Sequence, residues 1–474
     1  MAAITGQVAY SIGQDLYGFA SRLYPICRSI TGDGVRATLR LVGERIPLAV
    51  YEVPSGTQVF DWQVPLEWNI EHASVTDGSG RRVVDFQAHN LHVMSYSEPV
   101  DATLSLEELT PHLHTLPLHR EWIPYRTSYY RRAWGFCMRH ADRERLRPGR
   151  YRVQMRTRLA PGSLTYGEAV LPGRTREEVI FFTHVCHPSL ANDNASGVAI
   201  ATELARWLAS VPRRYTYRVV FAPGTIGSLC WLARNRARLG RVRHGLVLAL
   251  LGDPGPLTYK ASRRGTAAID AVGRYVLQGL DAAARVVPFS PYGYDERQLC
   301  SPGFDLPVGR LTRSVNGGYD QYHSSADDLA LIRPEHLEQS FEACMRIVTV
   351  LEGQGQYVNT SPYGEPQLGK RGLYGAVGGH SPAEREHALL WVLNQSDGSQ
   401  SLLDIAERSG IGFAAVREAA TALEGAGLLV AAGRRMAKPA ARRAGAPASR
   451  GSGSADRPGS AGRKRTIIRR GRKQ

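Results

Sequence analysis

Two imidazoles and a carboxylate share one short stretch, Thr183-His184-Val185-Cys186-His187-Pro188-Ser189-Leu190-Ala191-Asn192-Asp193-Asn194-Ala195-Ser196-Gly197. Imidazole nitrogen and carboxylate oxygen are the donors that zinc and similar divalent ions prefer. Taken singly, Asp193 also reads as a helix N-cap and His184 as a hydrogen-bonded core histidine. A metal site requires a donor from elsewhere in the chain, and His323, in Tyr322-His323-Ser324-Ser325-Ala326-Asp327-Asp328, is available. Asp253 is either a further ligand or a turn residue, because Gly252-Asp-Pro-Gly255 is also a plain turn signal. His187 either replaces a ligand or hydrogen-bonds to one. Cys186 beside His187 suggests a thiol nucleophile, but neighbours on an extended segment point to opposite faces.

These residues can act together only if regular elements bring them to one place. Between about 152 and 351 the apolar runs 179–185, 217–222, 245–251 and 306–311 have buried-strand length, and helical segments such as 195–209 and 334–351 separate them. The expected fold class is α/β, a mostly parallel sheet covered by helices, with ligands bound beyond the carboxyl ends of its strands. Helical spacing over 13–23 and 33–45 assigns residues 1–49 to the same domain. Short alternating runs and the hairpin pattern of 73–86 predict an inserted β-rich module over 50–126, with the α/β domain resuming over 127–375. Three helical segments, 384–394, 402–409 and 413–426, predict a winged-helix-like module over 381–432.

The chain has 474 residues, of which 43 % are hydrophobic, 8 % aromatic and 22 % charged, which excludes wholesale disorder, collagen-like repeats and coiled coil. Its net charge of +16 would suggest a polyanion partner, but residues 434–474 hold 14 Lys or Arg against the single acid Asp456. The body before them carries about +3, so the charge is largely a property of an expected disordered basic tail, 433–474, suited to nonspecific polyanion binding. Six scattered cysteines with no C-x-x-C pair fit a reducing compartment. No apolar window reaches membrane-span length and no basic residue precedes the first apolar stretch, so a cytoplasmic location without a membrane partner is expected.

Asp193-x-x-Ser196-Gly197 and Tyr322-His323-Ser324-x-x-Asp327 resemble the metal-binding signatures of the co-catalytic zinc aminopeptidases, whose α/β domain also folds glutamate carboxypeptidase and glutaminyl cyclase. The resemblance implies zinc ligation by His184, the bridging Asp193 and His323, with Asp253 standing where that group has an aspartate. The group places two adjacent glutamates after the next strand, one a ligand and one the general base. Here that loop reads Ala222-Pro223-Gly224-Thr225-Ile226-Gly227-Ser228 and holds no carboxylate. One zinc is therefore expected and a second is not. The proton-transfer role passes to Asp295 or Glu296 in Tyr292-Gly-Tyr-Asp-Glu-Arg-Gln298, which resembles a loop lining the aminopeptidase pocket; Glu168 is a weaker alternative.

Over roughly 12–430 the chain also resembles a narrower bacterial aminopeptidase-like family of unknown function, found in polysaccharide and natural-product biosynthesis gene sets. The resemblance rests on Tyr24-Pro-Ile-Cys-Arg-Ser-Ile-Thr-Gly-Asp-Gly-Val35, Pro65-Leu-Glu-Trp-Asn69, Asn90-Leu-His92, Ser128-Tyr-Tyr130, Gly252-Asp-Pro-Gly-Pro-Leu257 and Ser396-Asp-Gly398. It implies a metal-dependent hydrolase of aminopeptidase type acting on an amide bond of a small biosynthetic substrate. Two other readings compete: a catalytically silent binding protein of the same fold, and a DNA-associated regulator working through the winged-helix end. Against the latter, the third helical segment offers Arg417 against Glu418 and Glu424, so a protein partner or oligomer is the expected use of that end.

Overall fold

A computed structural model describes residues 11–315, 317–373 and 382–433. The first ten residues of the expected N-terminal part and residues 434–474 of the expected tail lie outside the described residues.

Eight strands build the central sheet: β1 (Ala49–Pro54), β2 (Ser163–Leu171), β3 (Glu178–His184), β4 (Thr216–Ala222), β5 (Val242–Leu248), β6 (Thr258–Lys260), β7 (Arg285–Val287) and β8 (Val308–Thr312). Their spatial order is β1-β2-β4-β3-β5-β8-β6-β7. The middle four, β4-β3-β5-β8, are mutually parallel. Antiparallel pairing begins where β2 joins β4 and where β6 joins β8. Consecutive apolar residues feed both faces, as a strand covered on both sides requires. Phe181 enters one core, while its neighbours Ile180 and Phe182 enter the other.

The first core is closed by α1 (Ile12–Leu23), α2 (Asp33–Gly43), α3 (Gly197–Ser210), α5 (Ala268–Leu280) and α6 (Pro334–Gly353). On the opposite face α4 (Ile226–Asn235) contributes Ile226, Leu229 and Trp231 to the second core. The N-terminal helices therefore pack with the α/β domain, on either side of which the chain continues. α1 starts cleanly because the Ser11 hydroxyl accepts from Gln14 N–H at 3.2 Å, and its buried Leu16, Phe19, Ala20 and Leu23 lie on one stripe.

The β-rich insertion forms a four-stranded antiparallel sheet ordered Arg82–Asp85, Glu67–Thr76, Arg150–Ala160, Val100–Ser105. This corrects the expected 50–126 bounds. Ala49–Pro54 is an edge strand of the main sheet, and the insertion takes its strand 150–160 from well beyond residue 126. Strand pairing is set by cross-strand contacts between distant residues, so local pattern shifts do not mark it.

At the far end, α7 (Pro382–Gln395), α8 (Leu402–Ser409) and α9 (Phe413–Gly425) surround a three-stranded sheet of Asp397–Ser401, Gln356–Asn359 and Leu429–Ala431. This is the winged-helix module. Its Leu402, Phe413, Val416 and Leu423 are continuous with the core beneath α6, and Phe413 N–H donates to the Tyr275 hydroxyl at 2.9 Å. On α9 the exposed residues include Arg417, Glu418, Thr421 and Glu424, a charge balance unsuited to a phosphate backbone. Among the described residues no helix is long and apolar enough to cross a membrane.

Candidate metal centre

Parallel pairing of His184 with Ala222 sets the ends of β3 and β4 side by side, so the loops that follow them open onto the same point. The first loop is held by its own side chains. Asn192 Oδ1 accepts from Gly252 N–H at 2.9 Å, Asn194 Oδ1 from Leu250 N–H at 3.2 Å, and Ser196 Oγ from Leu251 N–H at 3.0 Å. From below, Asp327 accepts from the backbone N–H of Asn192 at 2.6 Å and of Asp193 at 3.0 Å. Gly197 is required because a Cβ there would stand 2.3 Å from Asn194 Oδ1. Four polar residues thus fix the conformation that presents Asp193.

Asp193 is fully buried, and three imidazoles converge on its carboxylate. His184 Nε2 lies 2.7 Å and His187 Nδ1 3.2 Å from Oδ1, while His323 Nε2 lies 3.0 Å from Oδ2. Burial favours a neutral carboxyl, but the charge of His187 and the bond from His184 override it and hold Asp193 well below the usual carboxylate range. Burial depresses His184 and His323, with Asp193 opposing in each case. For His187 burial also acts downward, and the nearby Asp193 overrides it and holds the ring well above its ordinary value. The donor set of imidazoles round one buried carboxylate matches the chemistry of zinc.

Tyrosines wall the centre. Tyr294 stacks on His184 with centroids 4.6 Å apart, Tyr322 stacks on His323 at 3.9 Å, and Tyr125 meets both His187 and His323 edge-on. Tyr125 comes from the insertion, whose backbone is pinned to the His323 loop: Tyr125 N–H donates to His323 O at 2.8 Å and Ser325 N–H to Ile123 O at 2.8 Å. The sequence reading missed this wall. Its available signal was the grouping of tyrosines at 125, 129 and 130, at 292 and 294, and at 319 and 322.

The remaining sequence candidates fall in different places. Asp253 is outside the group of donors formed by His184, His187 and Asp193. Its Oδ1 accepts from Ser314 Oγ at 2.6 Å and Gly255 N–H at 2.7 Å, and its Oδ2 from Asn192 Nδ2 at 2.8 Å. Glu296 is buried in a bond to Lys260 Nζ at 2.9 Å, with Arg310 at 3.3 Å, and is committed to charge neutralisation. Glu168 is likewise tied to Trp231 Nε1 at 2.9 Å and to Arg218 and Arg238, both at 3.2 Å.

Asp295 is different. It is buried, and among the described residues neither carboxyl oxygen has a partner in hydrogen-bond geometry; the nearby Ser228 hydroxyl lies 2.7 Å from Thr225 O, to which it donates. A Cβ placed on Gly224 would lie 3.3 Å from His184 Cβ and 3.5 Å from an Asp295 oxygen. The carboxyl therefore reaches the very loop that lacks one. Burial pushes it up to about 7.

A parallel-centred α/β sheet whose strand-end loops gather imidazoles round one aspartate, extended by a β insertion and a winged helix, is an aminopeptidase-like architecture. Residues 17–354 match the family described as domain of unknown function DUF4910, and 355–431 match a winged helix-turn-helix family; the chain belongs to the DUF4910 family. A Clostridium acetobutylicum protein, provisionally named polysaccharide biosynthesis protein with aminopeptidase-like domain, is 47 % identical over 413 residues, 87 % of this chain and 95 % of its own. The crystal structure of a provisionally assigned peptidase from the same organism matches with a TM-score of 0.84 at 45 % identity, covering 88 % of this chain and 96 % of that one. A zinc aminopeptidase from Bacillus subtilis matches with a TM-score of 0.54 at 13 % identity, over 71 % of this chain and 94 % of its own, which speaks for the fold.

Proposed function

We propose that this chain is a zinc-dependent hydrolase of aminopeptidase type that cleaves an amide bond in a small biosynthetic substrate. The observation that carries this reading is the pairing of a buried carboxylate ringed by imidazoles with an unpartnered carboxyl, Asp295, on the adjoining loop. Asp193 with His184 and His323 would hold the ion. Such an ion supplies Lewis acidity toward a carbonyl oxygen and makes water nucleophilic near neutral pH. Asp295 is the proton-transfer residue: a carboxyl pushed up to about 7 takes a proton from an attacking water and returns it to a leaving amine without a large free-energy gap. Glu296 holds the loop bearing Asp295, since its Oε2 accepts from Tyr294 N–H at 3.1 Å while Lys260 and Arg310 anchor Oε1. Tyr125, Tyr294 and Tyr322 exclude bulk water and fix the rings.

The name of the Clostridium relative supports a role in building polysaccharides, and with it a substrate that is a biosynthetic intermediate and not dietary or waste protein. The test is zinc analysis of the purified protein followed by hydrolysis assays on aminoacyl-anilides and N-acyl-sugars. Metal-dependent release of amine from any of these supports the reading. Stoichiometric zinc with no turnover on the whole panel would instead favour a catalytically silent binding protein.

A further inference from the structure

The two oxygens of Asp193 do not see equivalent surroundings. Oδ1 faces two imidazoles, His184 Nε2 at 2.7 Å and His187 Nδ1 at 3.2 Å, whereas among the described residues Oδ2 faces one, His323 Nε2 at 3.0 Å. The donor atoms of His184, His187 and Asp193 all lie within 4.8 Å of one another. We propose that His187 is a metal ligand, taking the place that the zinc-aminopeptidase pattern gives to the residue at Asp253. This inference rests on the metal-dependent reading above and fixes the donor set of the same site.

Geometry, burial and the fate of Asp253 support it independently. His184 Nε2 at 2.7 Å and His187 Nδ1 at 3.2 Å address the same carboxylate oxygen, Oδ1, so the two rings present their nitrogens to one point beside it, and imidazole nitrogen with carboxylate oxygen is a donor set that zinc takes. His187 is also held in place. Its carbonyl accepts from the buried Arg28 Nε at 2.9 Å, and its ring is bounded by Tyr125 at 5.2 Å and His184 at 4.9 Å between centroids. The side chain is 11 % exposed, against 33 % for His323, so it lies in the dry part of the centre.

Asp253, by contrast, has its oxygens filled by Asn192, Ser314 and Gly255, and turning it inward would leave those donors unsatisfied in a buried setting. Its bond to Asn192 makes it a positioning residue for the loop that carries Asp193. Exchanging a carboxylate ligand for a neutral imidazole leaves a divalent ion with one more unit of positive charge, and hence a stronger pull on a carbonyl oxygen.

The experiment is zinc titration and cobalt substitution of the full chain. Wild type, His187→Ala, His187→Gln and His184→Ala are compared, with circular dichroism confirming that each is folded. The expected result is a loss of zinc affinity of at least ~100-fold for both His187 variants, similar to His184→Ala, with a shift in the cobalt absorption bands of His187→Gln because a nitrogen donor is gone. A partner that only hydrogen-bonds a ligand typically weakens affinity by about 10- to 100-fold and leaves the donor set intact. Unchanged cobalt bands in His187→Gln, or zinc retention at the wild-type level in both folded His187 variants, would overturn the assignment while leaving the metal reading standing. Failure of the wild type to bind zinc or cobalt would overturn both.

Discussion

The loops after β3 and β4 begin one hydrogen bond apart, Val185 N–H to Ala222 O at 3.1 Å, yet they solve their tasks in different ways. The β3 end carries its own chemistry and most of its own scaffolding: His184 closes the strand, His187 and Asp193 follow in the loop, and Asn192, Asn194 and Ser196 tie that loop down, with Asp327 clamping it from outside. The β4 loop carries neither. It presents Gly224, and the carboxyl that approaches this glycine belongs to Asp295, more than 70 residues onward, on a segment anchored by Glu296. Sheet topology fixes where side chains meet, and more than one stretch of chain can fill a given position.

The largest effect should come from breaking the self-contained loop. Asp193→Ala removes the oxygens on which all three imidazoles converge and should abolish stoichiometric zinc, measured by elemental analysis after dialysis, with His184→Ala and His323→Ala also sharply lowered. A folded Asp193→Ala protein with full zinc would show that the centre is elsewhere. Next comes the borrowed carboxyl. Asp295→Asn should lower kcat on any hydrolysed substrate by roughly 10² to 10⁴-fold, the usual worth of general acid–base assistance, while zinc content stays at the wild-type level. Equal kcat would return the proton-transfer role to another group.

Glu296→Gln tests the anchor and should act on stability first. It strips the shared counter-charge from Lys260 and Arg310, and breaking a buried ion pair costs about 3 to 5 kcal/mol in denaturant unfolding. If melting were unchanged and only kcat fell, Glu296 and not Asp295 would be the reacting carboxyl.

The smallest effect is a pH slope. Asp295 sits at about 7 when folded, against an ordinary value of 3.8, so the folded state binds that proton more tightly. Its contribution is complete below the unfolded value and is lost as pH rises through about 7. Melting temperature should therefore decline across that window in the wild type and decline less in Asp295→Asn; parallel profiles would exclude Asp295 as the source.

Much of the frame was legible in the residues. Buried-strand runs at 179–185 and 217–222 are observed as Glu178–His184 and Thr216–Ala222, and the helix expected over 402–409 is Leu402–Ser409. These segments announce themselves because period and length are local properties. The insertion did not, since its strand Arg150–Ala160 is placed by pairing with Glu67–Thr76 across more than 70 intervening residues. The site divides the same way. His184, Asp193 and His323 could be singled out by type and motif, whereas the grouped tyrosines carried no sign that Tyr125, Tyr294 and Tyr322 meet round those rings, because that contact is set by packing between segments.

By itself, the sequence determined the supply of donors: which loops hold imidazole and carboxylate, and that the loop after β4 holds none. Only the tertiary structure decided which donors face one another. Asp253, Asp295 and Glu296 are the same kind of group in the sequence. One became a clasp for Asn192, one the partner of two buried cations, and one an unpaired acid beside the imidazoles. A carboxyl's role follows from the dipoles and charges within a few ångströms of it, and those neighbours are set by chain packing across long sequence separations.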